Sequence, residues 1–179
     1  TFEIGLSNVF HVQFGTVALV FEGIMFFVFL FVRKDLVHLG ALAWCFLIGP
    51  FENLWLGILD PILPVASEMS VGLKIVCILL GSAIIIVTLA YYIPIGLGYQ
   101  TSDIFAFIAA DIVKKSYGIG LIISYAILFV IGVALGSSWG IGTLIAVVAY
   151  GPIIDRLMVI FEPFSFAVAG MTKEDKKGK

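Results

Sequence analysis

The sequence predicts an all-α fold: a polytopic membrane helix bundle of two inverted repeats, three spans each, with short amphipathic helices. The first span of the first repeat is missing from this sequence on that reading. Three observations predict it. Of 179 residues, 61% are hydrophobic and 12% charged, whereas a soluble domain has about 45–50% apolar and about 25% charged residues. Five stretches reach the roughly 20 apolar residues that a helix needs to cross a hydrocarbon core about 30 Å thick. Finally, GALAWCFLIGPFENL and GIGTLIAVVAYGPIIDR share a pattern, G-x-L-x6-G-P, with a polar residue three positions after the proline. That pattern matches Gly40 with Gly142, Gly49 with Gly151, Pro50 with Pro152 and Asn53 with Asp155. Self-similarity of this kind decides the fold before any local reading does.

Residues 1–13 open the chain with a polar, amphipathic piece. No signal or transit peptide is visible at Thr1. The first span is 14–32, closed by Arg33-Lys34-Asp35, and the second is 36–59, closed by Asp60-Pro61. The third is 71–97 and contains Pro94. Residues 101–117 are too polar to span. Thr101 or Ser102 serves as N-cap, Asp103 sits in the first turn, and Ile104, Phe105, Ile108, Ile112 and Val113 recur at helical spacing. This is an amphipathic helix lying in the interface or against the bundle. The fourth span is 118–135 and the fifth 139–164, ended by Glu162-Pro163. A charged tail follows.

The amphipathic pieces match each other, Thr1, Glu3 and Ile4 with Thr101, Asp103 and Ile104, and further on Gly15 matches Gly118. The repeat unit is thus an amphipathic piece, a span, a tight link and a span broken at Gly-Pro. Residues 1–59 form the first repeat, 60–70 an external loop, 71–165 the second repeat and 166–179 the tail. The span 71–97 precedes the second unit, so a span of roughly 25 residues is expected upstream of Thr1, making six in all. Alternating the spans puts Arg33, Lys34, Lys114, Lys115, Lys173, Lys176, Lys177 and Lys179 on one side. That side is expected to be cytoplasmic. An odd number of spans per repeat turns the second copy upside-down, an arrangement frequent in secondary transporters, whose sites lie at mid-membrane.

Gly96-Leu97-Gly98 before Thr101-Ser102-Asp103-Ile104, then Gly118, the GIGTL of residues 140–144, Gly151-Pro152 and Ile154-Asp155 resemble the YczE/YitT-type bacterial membrane proteins. That family carries G-x-G before P-W-D-V, and G-x-G-T at the start of a late span. Here Thr101-Ser102 replaces the Pro-Trp. The resemblance implies a bacterial inner-membrane protein and assigns no functional residue.

Within the spans, acids are costly. A carboxylate at a helix centre costs about 2.5–3.5 kcal/mol on insertion scales, so Glu22 is paired, neutral or facing a cavity. Ser124 or Tyr125, the latter repeat-equivalent to Glu22, is the expected partner if its role is only structural. Glu52 and Asn53 follow Gly49-Pro50, where proline frees a carbonyl one turn back, and the three groups form a candidate cation or amine site. Asp155 and Arg156 follow Gly151-Pro152 as an inner gate or a snorkelling anchor. Adjacent helix residues do not face one another, so each has another partner. Glu3 and Asp103 favour helix N-termini or mark the two mouths of a pathway.

The net charge of −2 leaves no nucleic-acid footprint. Cys45 and Cys77 lie in apolar runs, and His11 and His38 fall on opposite faces, so no metal or disulfide set emerges. No nucleophile elbow, zinc-protease motif or phosphate loop occurs. Gly132-x3-Gly136 is a candidate packing face. The expectation is a transporter or exporter of a small polar or cationic solute by alternating access, with proton coupling through Glu22, needing no cofactor and catalysing no reaction. Its partners are the lipid bilayer, the solute, protons and, for so thin a bundle, a second copy in a homodimer. A non-transporting scaffold or chaperone is the alternative.

Overall fold

The computed structural model describes residues 1–63 and 68–171. The helices run α1 (Phe2–Phe10), α2 (Phe14–Val32), α3 (Leu39–Leu59), α4 (Val71–Tyr92), α5 (Thr101–Val113), α6 (Tyr117–Ala134) and α7 (Ile141–Ala169), with one 3-10 turn at Ile93–Ile95 after α4. Five are long and apolar enough to cross a membrane: α2, α3, α4 with its 3-10 turn, α6 and α7. The protein is therefore a polytopic helical membrane bundle. Its outward surface agrees with this. Val20, Phe27, Phe31, Leu79, Val130, Val148 and Val159 all stand exposed, which a lipid-facing surface tolerates and a water-facing one of this extent does not. Residues 172–179, which hold the tail lysines, lie outside the described residues, as does part of the 60–70 loop.

Of the two placements expected for the short helices, the structure shows the one against the bundle. At 9 and 13 residues, α1 and α5 are roughly 14 and 20 Å long, about half the depth of a bilayer core. Each packs lengthwise on the bundle. The first residue of α5, Thr101, bonds Glu22, midway along α2. From there α5 runs beside the second half of α2, with Phe105 edge-on to Phe29 (5.2 Å). Asp111 near its far end meets Arg33 at the end of α2 (2.7 Å). On the other side, the start of α1 meets mid-span residues, Phe2 packing edge-on against Phe21 (5.0 Å). Its Gly5 lies on Gly132 of α6, and Asn8 donates to the Gly136 carbonyl just past α6 (3.3 Å). Two short helices thus begin beside the middle of α2 and end towards its two opposite ends. These same contacts make α2 and α6 antiparallel, since each begins beside the other's end. An interfacial position loses to this one because the buried Thr101 and Asp103 need protein partners in a medium without water.

Expectation and structure differ at four points. Gly49-Pro50 and Gly151-Pro152 do not break their helices; α3 and α7 continue through both. The glycines serve close packing instead. A Cβ on Gly49 would collide with the Gly15 carbonyl oxygen, and one on Gly151 with that of Gly118, so α2/α3 and α6/α7 cross backbone on backbone. Pro163 does not end α7 either. The last turns are held by packing, with Phe166 buried and Ser165 donating to the Tyr91 carbonyl (2.7 Å), and Gly170 closes the helix in the left-handed region (φ 65°). Residues 166–169 are therefore helix, not tail. The N-cap of α5 is Gln100, not Thr101 or Ser102. In the Gly132-x3-Gly136 pair only Gly132 is a packing contact; Gly136 (φ 79°) follows the end of α6.

The best-packed core belongs to the second half of the chain: Ile86, Leu89 and Ile93, Ala106 of α5, Tyr117 and Leu121 of α6, Tyr150 and Ile154 of α7. In it α4 lies along α7, where Tyr150 donates or accepts a hydrogen bond with Ser82 (2.8 Å). The halves meet where the Gly40 N–H of α3 donates to the Leu97 carbonyl (2.8 Å).

Candidate functional site

Between the halves lies a cavity of about 1010 Å³. Both half-helix starts open onto it: Thr1, Phe2 and Glu3 from α1, and Gln100, Thr101 and Ser102 from α5. Glu22 of α2, Glu52 of α3 and Tyr125 of α6 complete its polar lining together with Thr88 and Thr143. Phe21, Trp44, Tyr92, Phe105 and Phe129 supply aromatic walls. Among the described residues, no Lys, Arg or His side chain lines it.

Glu22 is buried (8% exposed) and its Oε2 accepts from both the backbone N–H and the hydroxyl of Thr101. The reason is local. The first N–H groups of a helix have no intrahelical acceptor, the N-terminus carries partial positive charge, and a carboxylate satisfies both demands. Glu22 thus caps α5 from a different helix, and its partner is neither Ser124 nor Tyr125. Glu52 is left differently: its Oε2 is buried with no hydrogen-bond partner.

The two candidate mouths diverge. Glu3 lines the central cavity, whereas Asp103 is fully buried behind it and accepts from Tyr117 (2.7 Å) and Gln100 Nε2 (3.3 Å). Neither is at an outer opening. The asymmetry has a simple origin. At the position matching Tyr117 the first half has Phe14, which has no hydroxyl to offer Glu3. Burial pushes the Asp103 carboxyl up to about 8 from an ordinary 3.8, the Tyr117 hydrogen bond pulling partly back and the nearby Glu22 adding to the rise.

Asn53 and Asp155 take another role. Asn53 Oδ1 accepts from the Gly15 N–H (3.2 Å), and Asp155 Oδ1 from the Gly118 N–H (2.8 Å). Each satisfies an orphan N–H at the start of α2 or α6, beside the Gly15–Gly49 or Gly118–Gly151 crossing. Neither lines the cavity, and Arg156 is exposed on α7 away from it. Of the residues singled out from sequence, Glu3, Glu22, Glu52 and Tyr125 come together and the rest do not. Sequence reasoning missed Thr101 as the partner of Glu22, and Trp44, Thr88 and Thr143 as lining. The match of Thr1 with Thr101 was the available signal, since both open onto the cavity.

A groove of about 650 Å³ runs along the outer side of α3, walled by Leu47, Phe51, Trp55, Leu56 and Leu59. It shares Gly40, Trp44, Ile48 and Glu52 with the cavity. Fold and site together define a polytopic α-helical membrane protein with an acidic, aromatic-walled cavity inside the bundle. Within that class the chain belongs to a family of unknown function, DUF6198, whose model matches residues 1–159. No curated protein and no solved structure matches the chain.

Proposed function

We propose that this protein is an integral membrane transporter that moves a small polar or cationic solute by alternating access between two inverted repeats. The observation that carries the reading is the convergence of Glu3, Glu22 and Glu52 on one cavity at mid-depth with no basic side chain opposite. Two unlike details support a division of labour. Glu22 is committed to the start of α5, so its charge is held by the protein. Glu52 lines the cavity, and its Oε2 makes no hydrogen bond among the described residues. Transporters built on inverted repeats bind at half-helix ends near the midplane, and the antiparallel α2 and α6, with their matching glycine crossings, support that architecture here. Loss of the Glu22 proton would strengthen its hold on Thr101 and protonation would loosen it, which is how a proton gradient would couple to the position of α5. The likeness to YczE/YitT-type proteins supports a bacterial inner membrane, and the gathering of basic residues at one end of the bundle supports a cytoplasmic position for that end.

The test is uptake of radiolabelled cationic and neutral solutes into proteoliposomes under an imposed proton gradient. Glu22→Gln and Glu52→Gln are expected to lower the flux at least tenfold. Equal flux in the wild type and both variants would remove these residues from the mechanism. A non-transporting scaffold is the second reading, favoured by the apolar groove along α3. Stoichiometric co-purification of one partner, with no flux of any solute, would select it.

A further inference from the structure

We infer that the central cavity takes an amphipathic organic cation, an amine or quaternary onium carrying an apolar body, in preference to a metal ion or a small inorganic cation. The inference deepens the transport reading and rests on it only for the cavity's being a solute site.

Size comes first. A volume of about 1010 Å³ is at the upper end of pockets that enclose drug-sized molecules, about 300–1000 Å³. A lone ion would leave it almost empty. The walls come second. Phe21, Trp44, Tyr92, Phe105 and Phe129 offer ring faces and edges, and a cation gains by lying over an aromatic face once water is removed. Chemistry of the charges is third. Among the described residues no three His, Cys, Asp or Glu side chains stand close enough together to hold a metal ion. Glu3, Glu22 and Glu52 are therefore spread around the space and do not focus on one point. Glu52 lines both the cavity and the α3 groove, and among the described residues its Oε2 holds no hydrogen bond that pairing with an onium group would have to break.

Access is the fourth argument. The α3 groove is apolar and shares Gly40, Trp44, Ile48 and Glu52 with the cavity. A molecule dissolved in the bilayer reaches Glu52 sideways along α3 without first crossing an aqueous mouth. Hydrated inorganic ions do not partition into lipid, and amphipathic cations do.

The experiment uses the full chain in nanodiscs of neutral lipid, with Trp55→Phe and Trp139→Phe so that Trp44 reports alone. The probes are tetraphenylphosphonium, phenethylammonium and tetraphenylborate, the last matching the first in shape with opposite charge. Saturable quenching or shifting of Trp44 emission by either cation is expected, with none by the borate. Glu52→Gln is expected to weaken the Kd at least tenfold, while Glu68→Gln, on the loop before α4, leaves it unchanged. A thermal melt of each variant separates lost binding from lost folding. Where Glu52→Gln fails to fold, Trp44→Phe with tritiated tetraphenylphosphonium in a scintillation assay replaces it, expected to weaken binding severalfold. The inference is overturned if neither cation saturates, if the borate binds equally, or if Na⁺ or Mn²⁺ displaces the cations at micromolar concentration. Cation binding without flux in proteoliposomes sinks the transport reading and leaves the ligand class standing. Flux of another solute with no onium binding does the reverse.

Discussion

Two buried carboxylates divide the chemistry at the residue scale. Glu22 is bonded across the bundle to the start of a half-helix, while Asp103 is bonded to Tyr117 inside the second half. Their positions in the sequence gave unequal warning, since Glu22 is an acid inside an apolar span whereas Asp103 reads as an ordinary acid in the first turn of an amphipathic helix. What sequence could not supply was the partner. Thr101 is 79 positions from Glu22, and nothing local to either residue names the other. Asp103 also sets a pH dependence of stability. Its carboxyl lies raised to about 8 in the folded protein, against about 3.9 in an open chain. Between those values the folded state keeps a proton that the unfolded state releases, so stability falls as pH rises through that window. The groups that face it are Tyr117 and Tyr125 of α6 and Glu22 of α2. Thermal melts from pH 5 to pH 8.5 are expected to show a falling Tm, with a shallower slope in Asp103→Asn. An unchanged slope would mean that Asp103 is already ionised at neutral pH.

Elements follow from glycine placement more than from propensity. The crossings α2/α3 and α6/α7 each juxtapose two glycines, and each has an amide or carboxylate acceptor on the next turn that takes the N–H of the glycine opposite. Membrane helices pack closely through small residues, and the polar residue after Gly-Pro caps the facing helix, outside the cavity lining. Gly151→Ala is expected to cost about 3 kcal/mol, the upper part of the range for overpacking, because its new methyl meets backbone, which does not yield. Asp155→Ala is expected to cost about 1 kcal/mol, as for a lost N-terminal cap, and Asp155→Asn less, because the amide oxygen still accepts from Gly118. Unfolding of the purified variants in mixed micelles measures both. Flux equal to wild type in a folded Asp155→Asn protein would separate the cap from the transport route. Elements also show where pattern reading misleads. Proline reads as a break, yet α3 and α7 run through Pro50, Pro152 and Pro163, because neighbouring helices hold the turns on either side.

For the molecule as a whole, topology follows from which ends meet. Arg33 reaches Asp111 beside Lys114 and Lys115, and Asn8 reaches Gly136, so single cysteines at Lys34 and Lys115 in a background lacking Cys45 and Cys77 are expected to react with an impermeant maleimide from one side of the membrane. A cysteine at Trp139 is expected to react from the other. Labelling of all three from one side would dismiss the antiparallel arrangement. The spans were legible because lipid demands about 20 apolar residues in a row, a requirement written into consecutive positions; the matched glycines were legible because a backbone crossing accepts no side chain, wherever it recurs. By itself the sequence determined the helical class, the five spans and the set of acids from which a site would be drawn. Only the tertiary structure decided that α1 and α5 pack lengthwise on the bundle, that Glu3 joins Glu22 and Glu52 while Asn53, Asp155 and Asp103 turn elsewhere, and that aromatic rings wall the space between. The reason is physical. Composition and period report what each segment does with its own surroundings, whereas the partner of a buried charge is chosen by whichever distant helix end lacks an acceptor when the bundle closes.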